Sequence, residues 1–303
     1  MGVNMRPAIN YADIFRGRVL IITGVGRSGT SLMGKILGSF TNTLYLYEPA
    51  ILKYAPMYKD CDLEGIRGMI FEDYFAQQMT WRSINAVKDN ESYYRNYWYG
   101  NELVGECSSG EYTKITNREQ VLDFKPVFII KTNEAQTNLP FLMELFPNCH
   151  IMHCVRNGSD VIQSSLARGW YTDEYFDKAV DLMQSGPGFE TPHFSIFEKD
   201  FYLDKKKYNQ ITRCAHVWRV LMDAYEEHDP DHKYCMNYER FLEYKLDIMQ
   251  FMKAKYDSEP TELTIKHFDS IKISKHDLIT HKIKKQERGK FIDTMGKWGY
   301  EVK

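Results

Sequence analysis

Between Val19 and Phe40 the chain changes its hydrophobic period within a few residues. Val19 to Ile22 is an unbroken apolar run rich in β-branched side chains, the pattern of a buried strand. Leu32, Met33, Ile36, Leu37 and Phe40 then recur at helical spacing, so the stretch predicts strand, turn, helix. The turn holds Gly24, Gly26 and Gly29. Glycine admits backbone angles closed to other residues, which lets several N–H groups converge at the partly positive start of the helix. Such a turn suits a phosphate, and the same turn also closes ordinary strand-helix junctions.

The alternation continues along the chain. Thr43 to Tyr47 predicts a second strand, closed by Glu48 and Pro49, and Val127 to Ile130 a third that breaks abruptly at Lys131, Thr132 and Asn133. Leu139 to Phe146 predicts a short helix, and CHIMHCVR a fourth strand ending on Arg156. Asn157 to Ser159 then turn into a helix with one face made of Val161, Ile162, Ser165 and Leu166. A helix through Ala215, Val217, Trp218, Leu221 and Met222 leads to a fifth strand within KYCMNYERFL. Strand alternating with helix predicts an α/β fold, a central parallel P-loop-like sheet of about five strands with helices on both faces.

A length of 303 residues allows two domains on the prior of ~150 residues each. No linker, low-complexity stretch or repeat interrupts the sequence, so the expectation is a single domain over 1–303. Six cysteines show no C-x-x-C pairing and several lie in apolar runs, which reads as reduced core residues. A net charge of −2 offers no general field for nucleic acid or an anionic membrane, so any anion site must be local. The first twenty residues contain no apolar core of signal-peptide or membrane-span length. A soluble, cytoplasmic protein is expected.

In open parallel sheets ligands bind beyond the carboxyl ends of the strands, which is where Glu48, Lys131 and Arg156 fall. Each has a plainer reading: Glu48 as a solvated helix cap, Lys131 as a snorkelling surface cation, and Arg156 with Asn157 as punctuation between strand and helix. The aromatics from Phe71 to Tyr99 either pack a helical layer on the sheet or line an acceptor pocket. Trp170 to Tyr202, with its Gly186-Pro187-Gly188 turn, is either a lid over such a pocket or a surface insertion.

Against the nucleoside-triphosphate pattern G-x-x-x-x-G-K-[ST], Gly24, Gly29 and Ser31 fit, but Thr30 stands where the lysine belongs. The cation is Arg27 instead, whose planar fork suits phosphate or sulfate oxygens. The segment GRSGTS (Gly26, Arg27, Ser28, Gly29, Thr30, Ser31) resembles the 5′-phosphosulfate loop of sulfotransferases that use 3′-phosphoadenosine-5′-phosphosulfate (PAPS), particularly their carbohydrate and tyrosyl-protein branches. Arg156, with Ser164 eight residues on, resembles the arginine and serine that clamp the 3′-phosphate in that family. Tyr238-Glu239 is similar to the family's tyrosine-acid pair near the adenosine, and KWGYEV to its terminal pattern. Arg288-Gly289-Lys290, in a basic run that otherwise reads as a solvated face, is similar in content to the family's basic C-terminal segment over the 3′-phosphate, in a different order.

The resemblance implies PAPS as co-substrate and 3′,5′-adenosine bisphosphate (PAP) as product, with no metal. Arg27 and Lys131 would stabilise the transferring sulfuryl group without covalent chemistry. Where the cytosolic small-molecule branch carries a catalytic histidine after Lys-Thr, this chain has Asn133, which cannot act as a base. The carbohydrate and tyrosyl-protein branches place a glutamate after the second strand, which points to Glu48 as base, with Glu134 in reserve and His193 behind it. The acceptor would be a hydroxyl or amine of a small metabolite or carbohydrate, with a peptide also allowed. Two other classes stay open: a P-loop kinase, which needs Mg²⁺ and a loop lysine, and a catalytically silent nucleotide-binding module.

Overall fold

A run that is apolar at every position can form a strand only where both its faces are covered. In the computed structural model Val19–Gly24 forms β1, and every residue in it is buried. Leu20 and Ile22 pack into one apolar cluster while Val19 and Ile21 pack into another, on the opposite face of the sheet. The structure describes residues 10–49, 52, 62–72, 104–106, 112–114, 125–133, 135–174, 208–229, 234–273 and 280–301. Most of the aromatic stretch after Phe71, most of the segment from Trp170 to Tyr202, Glu134 and His193 lie outside the described residues.

The other strands of the main sheet are β2 (Thr43–Tyr47), β5 (Val127–Lys131), β6 (His150–Val155) and β7 (Cys235–Asn237). They assemble in the order β2-β5-β1-β6-β7, and every pairing is parallel. The chain leaves β1 toward the β2 edge and leaves β6 toward the β7 edge. The ends of β1 and β6 therefore flank the point where the strand order reverses, the crevice in which open α/β sheets bind ligands. A separate antiparallel pair, β3 (Val104–Glu106) with β4 (Tyr112–Lys114), was not expected from the sequence.

One face of the sheet carries α2 (Thr30–Leu37), α7 (Lys245–Tyr256) and α8 (Glu262–Asp269), whose Met33, Ile36, Ile248, Met252 and Phe268 meet Leu20 and Ile22. The opposite face carries α4 (Leu139–Leu145), α5 (Gly158–Leu166), α6 (Gln210–His228) and α9 (Lys285–Lys297). Two short helices, α1 (Tyr11–Phe15) and α3 (residues 63–72), extend that side. Helices on both faces of a parallel sheet are thus found as expected.

The basic run leads into α9, which docks through Phe291 and Met295 and through the acid within that run, Glu287. Glu287 points inward, accepting from Arg219 Nε at 2.5 Å and lying 3.3 Å from His216 Nδ1, both on α6. Lys284, Lys285 and Lys290 stay exposed. Burial pushes the Glu287 carboxyl up, but its bonds to His216 and Arg219 outweigh that and hold it below the ordinary value.

On the other face α8 is tied to the end of α2, since the Thr261 and Thr264 hydroxyls donate to the Ser39 carbonyl at 2.7 and 2.8 Å. His267 of α8 has a buried Nε2 with no hydrogen-bond partner among the described residues. Burial, then Lys35 and Lys266, push its imidazole from 6.5 down to about 4. Between those values the unfolded chain binds a proton that the folded chain refuses, so stability falls as the pH falls through this window. Urea midpoints measured across it should drop for the wild-type protein and drop less for His267→Gln, and parallel curves would remove His267 as the source.

Candidate functional site

The turn between β1 and α2 is shaped by two left-handed backbones, Arg27 at φ 75° and Gly29 at φ 89°. The second requires glycine on two counts. A Cβ at position 29 would sit 2.5 Å from Cδ2 of Tyr238, and the left-handed angle strains any side-chain-bearing residue. At Gly24 the obstacle is the neighbouring strand, because a Cβ would lie 2.5 Å from the Cys154 carbonyl oxygen of β6. The turn is thus pressed against both the end of β6 and the turn after β7.

Two helices begin at this crevice, and their ends differ. At α5 the Asn157 side chain accepts from Ser159 N at 2.9 Å, and the Asn157 N–H is itself taken by Glu239 Oε1 at 2.9 Å. At α2 the N-cap is Gly29, which has no side chain to accept from the first-turn N–H groups. The α2 end therefore presents its partial positive charge to whatever lies before it, while the α5 end is self-satisfied. Ser28 adds a buried hydroxyl with no partner among the described residues. A bare helix start, an orphaned hydroxyl and a cationic rim fit an anion.

The rim is held by mutual contacts. Arg156, at the end of β6, is buried and lies with its guanidinium carbon 4.4 Å over the Tyr238 ring. Its Nη1 donates to the Arg27 carbonyl at 3.0 Å, and Arg27 Nε donates to Ser164 Oγ at 2.9 Å. The Arg27 guanidinium also lies 5.9 Å from the Trp170 ring centroid. The backbone of Arg156 is fixed from beneath by the Trp218 indole N–H, which donates to its carbonyl at 3.1 Å. Arg27, Arg156, Ser164 and Tyr238, four residues named from the sequence, are thereby brought into one cluster.

A second cluster forms where β2 and β5 end. Lys131 is 1% exposed and pairs with Glu48 Oε1, the glutamate side chain being 16% exposed. Asn133 Nδ2 donates to the same oxygen at 2.7 Å, while the Thr30 hydroxyl donates to Asn133 Oδ1 at 2.8 Å. Glu48 sits at φ 43°, with its own N–H donating to the Lys131 carbonyl at 2.8 Å. Lys131 Nζ lies 4.4 Å from the Tyr47 ring centroid. Neither the snorkelling nor the loose-cap reading describes these two residues, since lysine and glutamate are paired beside the turn.

Arg288 is engaged within its own segment, donating to the carbonyls of His281 at 2.7 Å and Ile283 at 2.8 Å, and Lys290 is exposed. Gly26 is buried and Ser31 partly buried at the turn. Two contacts at the candidate site were not foreseen from the sequence. Glu239 links the Asn157 N–H to the Tyr300 hydroxyl, which lies 3.3 Å from Glu239 Oε2. Asn133, read only as an unsuitable base, bridges Thr30, at the start of α2, and Glu48. Its place directly after Lys-Thr at a strand end was the available signal.

Replacing Gly29 by alanine should cost about 1–2 kcal/mol from the left-handed angle alone, plus the Tyr238 clash. A lowered thermal midpoint that Tyr238→Ala recovers only in part would match both terms. Unchanged stability would contradict the geometry of the turn.

A model of the Sulfotransferase family matches residues 20–252 of the chain. No curated protein sequence matches it. Among solved structures, the sulfotransferase domain of the Synechococcus PCC 7002 olefin synthase is similar at 10% identity and TM-score 0.45, over 94% of this chain and 95% of that one. The sulfotransferase domain from the curacin biosynthetic pathway is similar at 13% identity and TM-score 0.46, over 95% and 99%. Sulfotransferase STF9 from Mycobacterium avium gives 15% identity and TM-score 0.44, over 95% and 78%. With the family model spanning β1, the glycine turn after it, the Lys131 and Arg156 strand ends and the chain on to α7, this protein belongs to the sulfotransferase family.

Proposed function

We propose that the chain, acting as one domain, transfers a sulfuryl group from PAPS to a hydroxyl or amine of a small metabolite or carbohydrate. The observation that carries this reading is the bare start of α2 beside Arg27, with Arg27 joined to both Arg156 and Ser164. PAPS supplies an activated sulfuryl group on its 5′-phosphate and a marker phosphate at the 3′ position. The N–H groups of the turn from Gly26 to Ser31 receive the 5′ end, and Arg156 with Ser164 receives the 3′-phosphate. Tyr238, stacked on Arg156, lies beside the adenosine. Arg288 and Lys290 are assigned to the 3′ side on resemblance alone.

In the reaction the sulfur–oxygen bond to the 5′-phosphate breaks as the bond from the acceptor oxygen or nitrogen forms, and PAP leaves. Charge grows on the departing oxygen, where Arg27 and Lys131 stand to meet it. Glu48 takes the acceptor proton, at the same sheet edge as both cations. Sulfuryl carries less negative charge than phosphoryl, so fixed cations suffice for this chemistry. Cytoplasmic residence belongs to the proposal; Cys149, Cys154, Cys214 and Cys235 are free thiols, as a reducing compartment keeps them.

Calorimetric titration should show PAP binding without Mg²⁺ and tighter than ATP; the reverse order, with Mg²⁺ required, would favour a kinase. Arg156→Ala should weaken PAP by at least about tenfold while affecting 5′-AMP far less, since a charge-assisted hydrogen bond is lost only with the 3′-phosphate. Equal losses for both nucleotides would remove Arg156 from the 3′ site.

Glu48→Gln preserves size and hydrogen bonding but not proton acceptance. It should leave PAP affinity nearly intact and lower turnover of labelled PAPS, with mixed sugar, phenol and amine acceptors, by roughly 10²–10⁴-fold. A rate close to wild type would move the base elsewhere.

A further inference from the structure

The proton inventory at the β2–β5 end constrains what Thr30 can do. Glu48 paired with Lys131 is a carboxylate, which only accepts, so the Asn133 group 2.7 Å from it must be the amide N–H. That orientation turns the Asn133 carbonyl oxygen toward Thr30. A carbonyl oxygen also only accepts, so the Thr30 hydroxyl must donate, and it has a single proton to give. Thr30 is 3% exposed, which keeps water from competing for that bond. With its proton on Asn133, the hydroxyl can offer a phosphate or sulfate oxygen nothing but lone pairs.

We propose that the Thr30 hydroxyl and Asn133 form a positioning relay that orients the Glu48 carboxylate from the phosphate turn, with Thr30 meeting the donor through its backbone N–H and not through its side chain. This rests on the assignment of Glu48 as base and PAPS as donor. Asn133 holds Oε1 of Glu48 jointly with Lys131, so among the described residues two donors on β5 and its following turn orient the carboxylate. The Thr30 hydroxyl in turn keeps the Asn133 amide from rotating its oxygen toward the carboxylate. The first residue of α2, the element that starts at the donor turn, thus controls the geometry at which the acceptor proton is taken.

The test uses the full chain, PAP binding by calorimetry, and consumption of labelled PAPS with mixed sugar, phenol and amine acceptors. Thr30→Val keeps the branched shape and the backbone N–H but removes the proton, and Asn133→Ala removes the bridge. Each should lower turnover by about tenfold or more with PAP affinity changed less than about twofold. The double variant should be no slower than the worse single one, because both break the same connection. Thr30→Ser restores the hydroxyl and should restore the rate, and it remains readable if the valine variant fails to fold. A tenfold weaker PAP affinity in Thr30→Val would show the hydroxyl on the donor and overturn the relay. Additive losses in the double variant, or a wild-type rate in Asn133→Ala, would overturn it as well. These outcomes leave the functional reading standing; absence of PAP binding and PAPS consumption by the wild-type chain would overturn both.

Discussion

The site depends first on the donation from Arg156 to the Arg27 carbonyl. It crosses from the end of β6 to the turn after β1, strands already paired along their length. A left-handed, non-glycine residue such as Arg27 persists only where its surroundings over-determine it, and Arg156 and Ser164 supply that constraint from two directions. Arg156 is in turn kept in place by Trp218 below its carbonyl and Tyr238 on its guanidinium face. Helix α6 therefore bears on the turn between β1 and α2 through Arg156, and the turn after β7 does so both through Arg156 and by direct packing of Tyr238 on Gly29. Further out, Glu287 clamps α9 to α6, so even the tail helix bears on the same arginine.

The two helix starts divide the labour of the crevice. Asn157 and Glu239 satisfy the beginning of α5, beside which Arg156 and Ser164 both meet Arg27. Nothing on Gly29 satisfies α2, so that end keeps its field. A capped and an uncapped helix side by side make a site whose backbone attraction is directed at one point, while side chains define the rest.

Much of this was visible in the linear sequence because it is local. The apolar run Val19 to Ile22, the glycines of the turn and the abrupt charged ends at Lys131 and Arg156 each report on their own few residues, and strand and helix follow from period alone. The bonds that organise the site are not local. Thr30 meets Asn133 across 103 positions, and Asn157 meets Glu239 across 82. Neither pairing leaves a periodic trace, and an asparagine or glutamate in a turn has many ordinary partners. The docking of the basic tail was hidden for a related reason. Its lysines dominate the composition, while the one charged residue buried in α9 carries the opposite sign.

The strand order has a consequence for the way the chain comes into being. β1 and β2 follow each other in sequence but never touch, because β5 lies between them. β1 ends at Gly24, and the first strand it can pair with begins at Val127. During synthesis the most apolar strand of the sheet thus leaves the ribosome long before either of its neighbours exists. Closing so wide a loop is slow, and an unpaired apolar edge invites association with other chains in the interval. The segment that carries the turn between β1 and α2 is thus made before Lys131 is added and seated only after it.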